Sequence, residues 1–122
     1  LYLAAAKTVT PDWLAGNNSC QTIFTVVTPM LEGEILLREG RLEDGLVQLR
    51  DAIKSEDALR YDEPPGWLIP VRHSFGAALI NAGRYADAEK VYRDDLARVP
   101  ANGWSQFGLA EALRKWASHS RP

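Results

Sequence analysis

One phrase built on glycine recurs along this chain. Gly33 and Gly40 lead into Arg41-Leu42, Gly76 and Gly83 lead at the same spacing into Arg84-Tyr85, and Gly108 opens a third copy. Behind each turn the apolar residues keep one phase: Leu46, Leu49 and Ala52-Ile53 in the first copy, Ala88, Tyr92 and Leu96 in the second. A small residue, a turn glycine and an apolar ladder that repeat together predict stacked helical hairpins. Such stacks are more often binding surfaces than catalysts.

The expected fold class is therefore all-α. The pattern predicts helices over about 1–8, 19–39, 43–56, 67–82, 85–98 and 103–116, with a loop holding one turn around Trp13. In the second of these, Ile23, Val26, Val27, Met30, Leu31 and Glu34 mark one face at spacings of three and four. Pro29 and a β-branched run oppose the helix there, since a proline inside a helix costs about 3 kcal/mol. The repeat still requires a helix before Gly40. Pro70 is expected within the first turn of the fourth helix, where a missing N–H is tolerated. Asn102 reads as the N-cap of the last.

Close packing of antiparallel helices needs a small residue on one helix where the other offers a large one. Gly33, Gly76 and Gly108 are expected to be those spots on the first helices, and Gly45 and Ala88 on the second, with Leu49 and Tyr92 filling the space between hairpins. Gly40 and Gly83 are expected in the left-handed conformation that closes a helix C-terminus.

The stretch from Gly76 through Gly83-Arg84-Tyr85, Ala88 and Tyr92 to Pro100 resembles the tetratricopeptide repeat. The copy over 26–59 is a weaker match, with Gly45 and Asp57 in place of alanine and proline. The third keeps Trp104, Phe107 and Gly108 but has Lys115 where the turn glycine falls. Asp95 stands where the family usually has alanine, which implies a looser contact. The wording around Tyr61–Trp67, Pro70–His73 and Asn102–Trp104 also resembles the C-terminal repeats of certain bacterial tetratricopeptide proteins, a likeness that implies no defined activity. The resemblance implies a superhelical array of antiparallel hairpins with about two and a half repeats, forming a single domain over 1–122. Its parts are a preceding helix and loop (1–25), repeat one (26–59), an inserted connection (60–68), repeat two (69–100), a half repeat (101–116) and a frayed tail (117–122). The missing second half of the third copy suggests a piece of a longer array.

Bulk composition narrows the partners. Hydrophobic residues at 46% and charged residues at 25% are ordinary for a globular domain. A net charge of −2 argues against nucleic acid, which selects a basic face. No apolar run reaches the ~20 residues that span a bilayer, so no membrane partner is expected. Cys20 is the only cysteine. It has no internal disulfide partner, which fits a reducing, cytoplasmic address, and a small buried thiol is the expected role.

Catalytic signatures are absent: there is no phosphate-cradling glycine loop, no His-Glu-x-x-His and no Cys-x-x-Cys. No enzyme activity, cofactor or metal is expected. By position, the resemblance implies a partner-binding concave face made of Met30, Glu34, Leu37, Arg38, His73, Ala77, Ile80, Asn81, Asn102, Ser105 and Leu109. It lacks the Lys and Arg cluster that would hold an acidic C-terminus, so an apolar or hydrogen-bonding peptide or protein is the expected partner. A second constellation, Asp62, Glu63, Trp67, Arg72, His73 and Trp104, has the residue types of a small-ligand or metal site. The plainer reading is a clasp in which Asp62 or Glu63 caps the next helix and Trp67 and Trp104 pack between repeats. A further alternative is self-association, as a homodimer through uncapped repeat ends. The charged residues of the second helices, including Glu89 and Arg93, form an expected solvated face.

Overall fold

A computed structural model describes residues 2–119. They form helices α1 (Tyr2–Ala6), α2 (Cys20–Arg38), α3 (Leu42–Asp57), α4 (Val71–Asn81), α5 (Tyr85–Arg98) and α6 (Gly103–His119), with a short antiparallel hairpin of β1 (Leu14–Ala15) and β2 (Asn18–Ser19). The chain divides into two compact units, one running through Val71 and one starting at Arg72. No helix among the described residues is long and apolar enough to cross a membrane.

In the first unit α2 keeps Pro29 inside an unbroken helix. Ser19 supports its start, its Oγ accepting the Thr22 N–H at 3.1 Å. The α2–α3 turn is a Schellman motif: Gly40 has φ +78°, its N–H donates to the Leu37 carbonyl, and the Arg41 N–H reaches back to Leu36 at 2.9 Å. α2 and α3 then cross at glycine. A Cβ on Gly33 would sit 2.9 Å from Leu49 Cγ, and one on Gly45 would sit 2.8 Å from Leu37 Cγ. Val26, Leu46, Leu49 and Ala52 are fully buried around this crossing.

The connection after α3 is pinned to the β-hairpin. The Asn18 side-chain amide donates to the Arg60 carbonyl at 3.0 Å and accepts the Arg60 N–H at 2.8 Å, imitating a strand partner. One residue earlier, the Asn17 N–H donates to Asp62 at 2.7 Å. Asp62 lies over Gly16, whose φ of +63° and missing Cβ make room for the carboxylate. The hairpin itself was not expected from the sequence, because two-residue strands have no periodicity to read.

Two expectations fail here. Helix α4 begins at Val71, not near 67, because the residue before a proline is disfavoured in the helical region and Ile69 precedes Pro70. Nor do Asp62 and Glu63 cap it: Glu56 accepts the Val71 N–H at 3.1 Å.

The second unit repeats the turn of the first. Gly83 has φ +73°, its N–H donates to Ile80, and the Arg84 N–H donates to Leu79 at 2.8 Å. In both turns the arginine that follows the glycine pairs with an aspartate three residues on, Arg41 with Asp44 at 2.8 Å and Arg84 with Asp87 at 2.7 Å. Phe75, Ala78, Leu79, Ala88, Tyr92 and Ala112 form the core. Helix α6 runs on to His119 because Lys115 occupies the place of the stop glycine, so the expected end at 116 and fraying from 117 are corrected. Residues 120–122 of that expected tail lie outside the described residues.

Candidate functional site

The second unit is organised by one aromatic ring between two glycines. A Cβ built on Gly76 would lie 2.4 Å from Tyr92 Cζ, and one on Gly108 would lie 2.2 Å from the same atom. The missing side chains are the space the ring occupies. Tyr92 thus brings α4 and α6 to either side of itself, and a cleft of about 350 Å³ opens there. His73, Ala77, Ile80 and Asn81 line it from α4, and Trp104, Phe107, Gly108, Glu111 and Lys115 from α6, with Tyr92 contributing from α5. Trp104 and Phe107 are 77% and 66% exposed. Two large apolar side chains left in solvent beside an apolar cleft are the kind of surface that marks an interaction site.

Burial holds the Tyr92 hydroxyl above its ordinary range, with the nearby Asp95 charge adding to the shift. The folded state therefore keeps a proton that the unfolded chain releases near pH 10. Stability from this group is complete below about pH 10 and is lost as pH rises toward the raised folded-state value. The expected result is an alkaline fall in melting temperature that is shallower in Tyr92→Phe, measured by circular dichroism between pH 8 and 11. Equal slopes would remove Tyr92 as the source.

At the end of the cleft His73 joins a buried polar cluster. Asp95, 4% exposed, accepts from Ser105 Oγ at 2.6 Å and Asn102 Nδ2 at 3.2 Å, and lies 3.3 Å from His73 Nε2. Asn102 also caps α6 as expected, its Oδ1 accepting the Trp104 and Ser105 N–H groups at 3.0 and 3.4 Å. The looser contact expected from Asp95 in place of alanine is corrected: the carboxylate draws α4, α5 and the start of α6 together. Serine, histidine and aspartate meet here, but not as a nucleophilic triad. Ser105 is fully buried and bonds to the aspartate, whereas a nucleophile needs the imidazole on its own oxygen and an open approach.

The expected partner-facing residues scatter. His73, Ala77, Ile80 and Asn81 line the cleft together. Asn102 is half-buried in the Asp95 cluster, and Ser105, expected to face a partner, is buried beneath it. Leu109 is half-buried and not among the lining residues. In the first unit Leu37 packs on Gly45, Met30 is half-buried, and Glu34 pairs with Arg38 at 2.7 Å.

Of the second constellation, Asp62 holds the hairpin turn through Asn17 and His73 belongs to the Asp95 cluster. Glu63 accepts from the Tyr61 hydroxyl, which holds that phenol above its ordinary range. The Trp67 indole N–H is buried without a hydrogen-bond partner among the described residues. Trp104, expected to pack between repeats, is exposed at the cleft instead. Arg72 is half-buried. Among the described residues, no three His, Cys, Asp or Glu side chains gather as a metal-ligand set.

Tyr92, Phe107, Gly108, Glu111 and Lys115 were missing from the expected face. The glycine spacing that placed Tyr92 against Gly76 and Gly108 carried the signal for the cleft floor. Glu111 is held ionised below the usual carboxylate range by Arg114, which donates to it at 3.1 and 2.9 Å. Comparison of the chain with protein-family models, curated proteins and solved structures yields no match.

Proposed function

We propose that this chain is a non-catalytic protein-interaction module that takes an extended or helical peptide in the cleft between α4 and α6. The carrying observation is the apolar cleft over Tyr92 with Trp104 and Phe107 exposed beside it. Polar groups at its margins, Asn81, Glu111 and Lys115, suit a peptide backbone and set its direction. The repeated Schellman turn, and the matching contacts of Gly33 with Leu49 and of Gly76 with Tyr92, support placing the chain among tetratricopeptide-type hairpin arrays.

Selection of a displayed peptide library on the folded chain tests this. Selected peptides should carry a bulky apolar anchor. Their affinity, read by fluorescence anisotropy, should fall about tenfold or more in Ile80→Glu and Trp104→Ala, the scale of an interface anchor. Leu31→Glu, on exposed surface of the first unit, should leave it unchanged. Peptides indifferent to both cleft substitutions would sink the reading.

A second reading, self-association, has its own observation. Leu113 and Trp116 are 39% and 43% exposed on α6, and with Leu109 they follow a helical stripe. A strictly monomeric mass by light scattering up to high micromolar concentration would exclude it.

A further inference from the structure

One oxygen of Asp95 is shared by three side chains, and this determines where the histidine proton sits. Asn102 Nδ2 lies 3.2 Å from Asp95 Oδ2 and 3.1 Å from His73 Nε2. At Nε2 the proton is either present or absent, and both arrangements match these distances. In one, His73 Nε2 carries a hydrogen and donates it to Asp95. In the other, Nε2 is bare and accepts from Asn102, and its lone pair then faces a buried carboxylate oxygen at 3.3 Å. The second sets two electron-rich atoms against each other where the dielectric is low and repulsion strong. The first gives up the Asn102–His73 bond and sets two donors 3.1 Å apart, but both converge on one carboxylate oxygen whose charge holds them, and Asn102 Oδ1 still caps α6.

We propose that Asp95 holds His73 as the Nε2–H tautomer, so that His73 Nδ1 is the acceptor by which the cleft selects an aromatic anchor carrying its own N–H or O–H donor. Nδ1 makes no hydrogen bond among the described residues. His73 lines the cleft with a side chain only 19% exposed, beside Ile80, Tyr92, Trp104 and Phe107. An aliphatic or phenyl anchor entering there takes water from Nδ1 and returns nothing, leaving a desolvated acceptor. An indole or phenol fills the same apolar volume and supplies the bond. The preferred partner side chain is tryptophan or tyrosine, not leucine or phenylalanine. Asp95 acts as a positioning residue, and His73 as the specificity determinant. The inference rests on the cleft being the binding site.

The test uses the whole chain labelled with 15N. Long-range 1H–15N spectra of the imidazole read the His73 tautomer with no ligand present, and Nε2–H is expected. Titrations with indole and with its isostere lacking the N–H, benzothiophene, are followed by the Trp104 and His73 signals. Indole should bind about fivefold more tightly, the scale of one hydrogen bond. That preference should vanish in His73→Phe, which keeps a ring but removes the acceptor, and in Asp95→Asn if that variant folds. A Nδ1–H or doubly protonated ring at neutral pH, or equal affinities for the two probes, overturns the inference and spares the cleft. Failure of both probes to bind, or binding unaffected by Ile80→Glu, overturns the cleft reading and this inference with it.

Discussion

Replacing Gly108 with alanine is expected to cost about 3 kcal/mol and to lower the melting temperature by roughly 10–20 °C. Helix propensity predicts the opposite, because alanine in a helix interior is favoured over glycine by about 1 kcal/mol. Packing wins because the new methyl would stand 2.2 Å from Tyr92 Cζ, inside the ring's own volume. The ring is also packed tightly on Gly76, where it fills the space a Cβ would take, 2.4 Å from the same atom. A double-mutant cycle isolates the cause. Tyr92→Leu vacates the space, so Gly108→Ala should cost much less in that background, with a coupling of about 1–3 kcal/mol. A higher melting point for Gly108→Ala alone would show that the ring moves aside freely.

Loss of the Asp95 carboxylate has the second largest expected effect. Asp95→Ala leaves Ser105 Oγ buried without an acceptor and strips a partner from Asn102 and His73. Each unsatisfied buried donor costs about 1–3 kcal/mol. Removing a buried carboxylate recovers part of this, because its own desolvation is expensive. A net loss of about 2–3 kcal/mol is expected, read as a lower midpoint in urea with unchanged slope. Asp95→Ala combined with Ser105→Ala should be more stable than Asp95→Ala alone, since removing both partners is nearer neutral than orphaning one. A double variant less stable than the single would mean that the carboxylate acts through something other than this bond.

These two cases differ in how far the sequence announces them. The glycine phrase is local chemistry: a left-handed residue at Gly40 and Gly83, followed by arginine and an apolar ladder, determines a helix end and the phase of the next helix. Those features depend on residues a few positions apart, so the turns, helix α5 and the Tyr92 contact with Gly76 and Gly108 were legible from the chain alone. The true start of α4 at Val71 follows from a rule just as local, the restriction that Pro70 puts on Ile69, which the expected start near 67 overlooked. The extension of α6 past Lys115 follows from the absent stop glycine, a signal present in the sequence as a departure from the repeat.

What the sequence by itself determined is a set of helical hairpins, their turn chemistry, and the small positions where helices meet. Only the tertiary structure decided which polar residues serve the core and which face the cleft. Asp95, Asn102, Ser105 and His73 come from three helices and the cap of one. Their pairing depends on helix rotations set by side-chain packing, which no short-range pattern encodes. The same holds for the clasp of Asn17 and Asn18 on residues 60–62, which joins segments more than forty positions apart. An amide in the sequence shows what it is able to bond. The partner is chosen by whichever backbone group the fold brings within about 3 Å, here the Arg60 and Tyr61 peptides, because a hydrogen bond forms only at that distance.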